Sequence, residues 1–307
     1  VQQAGQGRMR GFEASNQVID GHHISIDGGL VHLLAPFGGQ RIGLLAGLGV
    51  RVAVVEALPR LLPIPSVDEG LSKVLLREFK KQKIDVHLNR TVTGVEDAGA
   101  GLRIATGPSP FLAAPSEKDR QPGHLEADQL LVCVGRAPNT GGIGLEAVGV
   151  ALDARGWIEA DAGLQTAAPN VWAIGDVLGP SRIMLAHAAS AEGACAAANA
   201  LGGSEVMDYR VVPGAIFTHP EVAAVGLTEA QAREQGLPVK VASVLFRTVG
   251  KAQVLDEIAG EAKLVAHAAT GVLLGAHLIG AHATELIPEA TLAVRQGLTV
   301  DDLAAAQ

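Results

Sequence analysis

The fold is constrained most strongly by the stretch at residues 166–195, TAAPNVWAIGDVLGPSRIMLAHAASAEGAC. Its apolar run at 171–174 predicts a short strand, and Gly175 and the lone carboxylate of Asp176 follow at the end of that strand. From Met184 onward the residues are Ala-rich and nearly uncharged, which predicts a helix whose first-turn amides and positive dipole point back toward Asp176. Because ligands of α/β sheets bind at the carboxyl ends of strands, we expect an α/β protein with a site for a polyol joined to an anionic ring.

The segments NVWAIGD and MLAHAASAEG resemble the second flavin motif of the class I pyridine nucleotide-disulfide oxidoreductases. Within that family they are most similar to the dihydrolipoyl dehydrogenases. The resemblance implies that Asp176 binds the ribityl hydroxyls of FAD. It also implies that the backbone at Leu185 and Ala186 faces the pyrimidine end of the flavin, where a helix N-terminus stabilises the negative charge of the reduced ring. The alternative is that the GD dipeptide only ends a strand and begins a turn.

Residues 37–56, FGGQRIGLLAGLGVRVAVVE, are similar to the nicotinamide-binding βαβ unit of the same family. Glu56, at the carboxyl tip of a buried strand, is placed to accept both hydroxyls of an adenosine ribose, which favours NAD over NADP. Aligning Gly38 and Gly43 with the first and third motif glycines puts Gln40 at the second, where a side chain obstructs the pyrophosphate. An NAD site and a scaffold crossover with impaired NAD binding therefore both stay open.

Other segments extend the resemblance to most of the chain. Residues 128–139, DQLLVCVGRAPN, predict a buried strand followed by a Pro turn, and the family implies that Gly135 and Arg136 run beside the nicotinamide. The VTGVE context of Val92 implies a place near the adenine. Residues 209–307 resemble the dimerisation domain of the family, which implies a homodimer through this part of the chain.

Charge and cysteine content argue against other classes of protein. The 24 basic and 32 acidic residues give a net charge of −8 without a basic stripe, which argues against nucleic-acid binding. The two cysteines, Cys133 and Cys195, are not part of a CxxC, which argues against a metal site and for a reducing compartment. Without a secretory signal or a run of membrane-span length in the sequence, we expect a cytoplasmic protein that does not bind membranes.

Two motifs that the family would supply do not occur among these residues. One is the N-terminal GxGxxG fold with its redox-active CxxxxC pair, and the other is the HPT motif with the histidine and glutamate that act as general acid and base. We therefore expect no catalytic residue in the chain itself, and no oxidation of dihydrolipoamide by the chain alone.

These observations predict a two-dinucleotide-binding-domain flavoprotein fold of the α/β class with a C-terminal α+β dimerisation domain. The expected parts are a remnant of the FAD domain at 1–36, an NAD-binding domain at 37–139, the C-terminal part of the FAD domain at 140–208 and the dimerisation domain at 209–307. The resemblance implies hydride transfer between NAD and FAD, coupled to a dithiol such as dihydrolipoamide, either small or carried on a lipoyl-bearing protein. A sister activity (mercuric reductase, glutathione-type reductase or transhydrogenase) and a non-catalytic dimerisation or binding module both stay open.

Overall fold

The computed structural model describes residues 29–33 and 39–306, which divide into two compact units. The first unit contains the described residues up to Pro63 together with Leu75–Val134. The second contains Ile64–Val74 and the chain from Gly135 onward. The four-part division expected from the sequence stays a prediction, because the contacts separate two units.

A parallel sheet organises the first unit. Its strands are β1 (Gly29–Leu33), β2 (Arg51–Glu56), β3 (Asp85–Leu88) and β7 (Gln129–Val132), in the order β3-β2-β1-β7. Helix α1 (Gly39–Gly47) connects β1 to β2, and helix α2 (Glu69–Lys81) lies between β2 and β3. Parallel strands require such crossovers, and the buried β2 shows the continuous apolar run expected of a covered sheet.

β1 lies on the N-terminal side of the boundary expected at residue 36, and that boundary stays a prediction. β1 pairs in parallel with β2, with Gly29 opposite Arg51, and with β7, with Leu30 opposite Gln129. It is thus a central strand of the sheet that carries Glu56. The sequence missed this because a short strand reveals its partners only when the sheet assembles.

The first unit also contains a three-stranded antiparallel sheet. Its strands are β4 (Arg90–Asp97), β5 (Leu102–Pro108) and β6 (Gly123–Ala127), in that order, and a short helix α3 (Glu117–Arg120) lies between the last two. Val55 of β2, Ile104 of β5 and Ala127 of β6 form one buried cluster. The two sheets therefore share a hydrophobic core.

In the second unit, the chain from Gly135 forms turns and isolated bridges before helix α4 (Ala186–Ala200). The strand expected at 171–174 is wrong, because Trp172 makes only a single bridge, to Gln165. The extended chain is held by burial instead. The cluster that includes Cys195 and Ala196 of α4 also contains Leu164, Ala173 and Leu178.

An antiparallel sheet with helices forms the rest of the second unit. Its strands are β8 (Gly214–Ile216), β9 (Glu221–Gly226), β10 (Val239–Leu245), β11 (Glu261–His267) and β12 (Leu273–Gly280), in the order β10-β11-β12-β9-β8. Its helices are α5 (Glu229–Glu234), α6 (Gly250–Leu255), α7 (Ala283–Gln296) and α8 (Val300–Ala305). Ile287 and Ala290 of α7 pack into a core with Ala276 of β12, so α7 covers one face of the sheet.

Candidate functional site

Asp176 lies in a 3-10 turn, Gly175–Leu178, where an extended chain turns toward α4. Ile174 is extended, with φ −138° and ψ 155°, and Gly175 has φ +76°, a left-handed conformation that glycine adopts without strain. The carbonyl of Asp176 accepts the Gly179 amide at 3.0 Å, which closes the turn. The Asp176 carboxylate is 48% exposed and is therefore accessible to a ligand.

Arg136 joins the two segments that form the candidate site. Its Nη1 lies 2.7 Å from Oδ2 of Asp176 and donates to the carbonyl of Met184 at 3.2 Å. One guanidinium thus contacts both the turn that carries the carboxylate and the chain just before α4. Such an exposed ion pair contributes little to the free energy of folding. Its effect is to hold the carboxylate close to the start of α4. Asp176 and Arg136, which the sequence places in separate motifs, are neighbours.

The N-terminus of α4 lacks a side-chain cap. Leu185 is the N-cap residue, with φ −127° and ψ 146°, its side chain makes no capping hydrogen bond, and the first turn contains no acidic residue. The Ala189 amide donates to the Leu185 carbonyl at 3.0 Å. The amides of residues 186–188 precede this bond, so their N–H groups and the positive end of the helix dipole are suited to an electron-rich ligand group.

The FAD that the resemblance implies fits this set of groups. A polyol needs an acceptor for its hydroxyls, which the accessible carboxylate of Asp176 provides. An anionic ring needs donors, which the uncapped first turn of α4 provides at Ala186 and the two residues after it. The residues present therefore match the ribityl and pyrimidine portions of a flavin in chemical character.

Glu56 ends β2 in the first unit and is only 5% exposed. Burial raises the pKa of Glu56 above its usual 4.5, while hydrogen bonds from the amides of Leu58 and Ala57 oppose that rise. The Leu58 amide donates to Oε1 at 2.8 Å, which orients the carboxylate at the carboxyl end of the parallel strands. This position at the strand ends is the one expected of a residue that accepts from the ribose of NAD, and that role of Glu56 stays a prediction.

The other predicted cofactor residues have different surroundings. Val92 packs against the buried cluster of Val55 and Ile104, so its side chain belongs to the core of the first unit. Gly43 lies within α1 and is partly buried, whereas Gly38 is outside the described residues. Gly135 has φ +117° with open space around it, which leaves its backbone accessible. The part of Val92 and of these three glycines in cofactor binding stays a prediction.

Sequence reasoning missed a buried carboxylate beside Asp176. Glu192 on α4 is fully buried, its Oε2 accepts the Gly175 amide at 2.6 Å and its Oε1 accepts the hydroxyl of Tyr209 at 2.7 Å. The only signal in the sequence was spacing, because Glu192 lies one helical turn from the small residues Ala188 and Ala196, which are also buried. A lone glutamate in an Ala-rich helix predicts a solvated side chain, so the pattern was misleading.

Cys195 offers no nucleophile here. Neither Cys133 nor Cys195 forms a disulfide. Burial, and then the charge of Glu205, raises the pKa of the Cys195 thiol, which keeps it protonated and unreactive. Among residues 29–33 and 39–306, no three His, Cys, Asp or Glu side chains gather in an arrangement that could hold a metal ion.

Comparison with known families identifies the chain. The model of the pyridine nucleotide-disulphide oxidoreductases matches residues 39–193, and the model of the dimerisation domain of the same family matches residues 212–307. The chain belongs to the pyridine nucleotide-disulphide oxidoreductase family. The expected fold class is thereby confirmed, and Glu56, Arg136 and Asp176 lie inside the first match.

Curated relatives within this family include dihydrolipoyl dehydrogenases from several bacteria. The protein of Chlamydia trachomatis is 40% identical over 273 residues, which cover 87% of this chain and 55% of that protein. The protein of Thermus scotoductus is 38% identical over 301 residues, which cover 96% of this chain and 62% of that protein. The chain thus spans little more than half the length of these relatives.

Solved structures of the family have the same architecture. LpdA from Mycobacterium tuberculosis superposes with a TM-score of 0.78 at 28% identity, over 90% of this chain and 57% of that one. RclA from Escherichia coli, an HOCl-induced flavoprotein disulfide reductase, gives a TM-score of 0.77 at 25% identity, over 91% of this chain and 61% of that one. In the part of the chain that the structure describes, no helix has the length and apolar character needed to span a bilayer.

Proposed function

We propose that this family member contributes the nicotinamide-binding, flavin-binding and dimerisation regions of an oxidoreductase of the dihydrolipoyl dehydrogenase type. The observation that carries the proposal is the contact of Arg136 with both Asp176 and the chain before α4, which places an accessible carboxylate beside an uncapped helix N-terminus. The identity to curated dihydrolipoyl dehydrogenases supports this reaction type.

Each proposed site residue has a chemical task in this reaction. Asp176 accepts the ribityl hydroxyls, and the backbone at Leu185 and Ala186 faces the pyrimidine end of the flavin. Glu56 accepts the ribose hydroxyls of NAD. When bound, FAD and NAD would supply the hydride-transfer chemistry, while the protein orients the reacting rings.

The substrate and partners belong to the proposal as well. A dithiol such as dihydrolipoamide, small or carried on a lipoyl-bearing protein, would be the electron donor, and a second copy of the chain would pair through residues 209–307. A cytoplasmic location stays a prediction. The similarity to RclA keeps a sister disulfide reductase activity as the second candidate.

Flavin binding by the purified chain tests the proposal. We expect the chain to bind FAD, seen as a visible absorption band, and Asp176→Ala to weaken binding by roughly tenfold or more, because a charge-assisted acceptor for hydroxyls is lost. Asp301→Asn, at an exposed carboxylate in the first turn of α8, is the control and should bind FAD like the wild type. An unchanged affinity in Asp176→Ala, or no flavin binding by the wild type, would contradict the flavin site.

A further inference from the structure

Glu192 is the one fully buried carboxylate in the described part of the chain. Its two oxygens accept from two neutral donors, the Gly175 amide at 2.6 Å and the Tyr209 hydroxyl at 2.7 Å. Burying a carboxylate is costly unless hydrogen bonds compensate for the lost water. An apolar residue would fill the same space at lower cost, so this arrangement calls for an explanation beyond packing.

The backbone of Gly175 is hydrogen-bonded to α4 and lies close to it. Its amide donates to Glu192, and a Cβ at its position would lie 3.3 Å from the Cβ of Ala189. The left-handed φ of +76° is strained for any residue with a side chain, and a Cβ would have little space beside Ala189. Glycine is therefore the residue that fits best at this position. Because Asp176 is the next residue, the hydrogen bond from Gly175 and this close approach constrain where the Asp176 carboxylate lies relative to the first turn of α4.

A second set of contacts fixes Glu192 itself. The Tyr209 ring lies under the guanidinium of Arg182, whose Cζ is 5.1 Å from the ring centroid. Arg182 in turn donates to the carbonyls of Ala160 and Asp161 at 3.3 and 3.2 Å. Burial and the neighbouring Glu192 carboxylate raise the pKa of Tyr209 to about 12, so its hydroxyl stays protonated and continues to donate to Glu192.

We propose that Glu192 is a positioning residue of the flavin site, which holds Gly175 against α4 and so sets the Asp176 carboxylate at the helix N-terminus. Tyr209 holds Glu192 in the orientation that this requires. The inference rests on the proposed function, because it assigns Glu192 a part in binding the same flavin. Glu192 itself is buried behind the turn and acts through Gly175 and Asp176.

Hydrogen–deuterium exchange tests the positioning without any flavin. In Glu192→Ala we expect faster exchange of the Gly175 amide and of the turn up to Gly179, with strands β9, β11 and β12 exchanging as in the wild type. Glu192→Gln keeps an acceptor for the Gly175 amide and should restore slow exchange. Glu78→Ala removes another buried glutamate on a helix, α2, and should leave Gly175 unchanged. Wild-type exchange at Gly175 in Glu192→Ala would overturn the inference.

Flavin affinity supplies the second readout. We expect Glu192→Ala to weaken FAD binding about tenfold or more, and Tyr209→Phe, which keeps the ring, to weaken it about threefold to tenfold. The double variant Asp176→Ala/Glu192→Ala should bind about as weakly as Asp176→Ala, because one residue acts through the other. Additive losses would mean that Glu192 supports the fold in general, and would overturn the inference.

The two experiments separate the two proposals. A wild-type chain that binds no FAD refutes the proposed flavin site, while the exchange pattern of the Glu192 variants still decides whether Glu192 holds the turn. Tyr209 is the only tyrosine of the chain, so its phenolate absorbance in an alkaline titration reports this contact alone. We expect Glu192→Gln to lower the pKa of Tyr209 from about 12 toward its ordinary value, and an unchanged titration would contradict the contact.

Discussion

His277 on β12 is fully buried, and its Nε2 lies 3.0 Å from the Leu227 carbonyl. Since a carbonyl can only accept, Nε2 carries the proton, and Nδ1 is buried without a hydrogen-bond partner among the described residues. The charged groups near it are Asp68 and Lys263, which pair with each other at 2.9 Å. Burial lowers the pKa of His277 below its ordinary 6.5, so the folded protein holds the neutral ring.

The pH dependence of stability should report this residue. As the pH falls below 6.5, the unfolded chain binds a proton at His277 that the folded chain does not, so the free energy of unfolding decreases until the lower folded pKa is reached. We expect His277→Gln, which does not titrate, to flatten this decline when unfolding is measured by urea between pH 8 and roughly pH 5. His124→Gln, at an exposed histidine of β6, is the matched control, and an equal flattening in both variants would contradict the assignment.

Lys263, close to His277, is a buried charge that two carboxylates stabilise. Its ammonium lies 2.9 Å from Asp68 and 2.7 Å from Glu229, and its side chain is only 13% exposed. Burial would lower the pKa of Lys263, but its hydrogen bonds to Glu229 and Asp68 outweigh burial and raise the pKa. The Lys263 ammonium therefore keeps its charge over the whole pH range of the His277 experiment.

Among the elements, the end of β9 depends on a close backbone contact. Gly226 has φ +75°, and a Cβ there would overlap the Leu274 carbonyl at the start of β12. The adjacent Leu227 amide donates to that same carbonyl at 2.9 Å, so the two strands cannot separate to make room. Gly236, just after α5, has a similar φ of +72° but nothing within 4 Å of its Cβ position.

This pair of glycines separates backbone strain from steric overlap. We expect Gly236→Ala to destabilise the protein by about 1 kcal/mol through its positive φ alone. Gly226→Ala should cost more than about 3 kcal/mol, since overlap with a fixed carbonyl adds to the same strain. Urea unfolding measures both free energies. Equal losses in the two variants would show that the contact with Leu274 is not rigid.

The molecule as a whole combines cofactor-binding segments with a dimerisation domain and carries only two cysteines. Cys133 lies in the first unit and Cys195 in the second, and Cys195 is a buried thiol with a raised pKa. Oxidation of a dithiol by thiol–disulfide exchange needs a reactive cysteine pair, and neither residue has a neighbouring cysteine in sequence.

We therefore expect the purified 307-residue chain, supplied with FAD and NAD, to form no NADH from dihydrolipoamide above a protein-free blank. A full-length relative, such as the dihydrolipoyl dehydrogenase of Thermus scotoductus, is the positive control. A clear rate from the chain alone would contradict the expectation and would assign the electron transfer to groups other than a cysteine pair.

Local patterns sufficed to predict several elements and residues. The Ala-rich run after Met184 predicted α4, and the buried run that ends in Glu56 predicted β2, because residue composition and apolar pattern are properties of contiguous residues. Contiguous motifs were also enough to predict the family resemblance and the fold class. They predicted as well that a helix begins shortly after Asp176.

Contacts between distant residues, in contrast, depend on how the whole chain packs. Motifs in the sequence were enough to name Asp176 and Arg136 as candidates, but their contact requires the chain from Gly135 to return to the turn before α4. Glu192 is buried only because the Gly175 amide and the Tyr209 hydroxyl converge on it from separate segments. A carboxylate can be buried when hydrogen-bond donors of the protein replace the water molecules that bind it, and the positions of those donors are set by the folded chain.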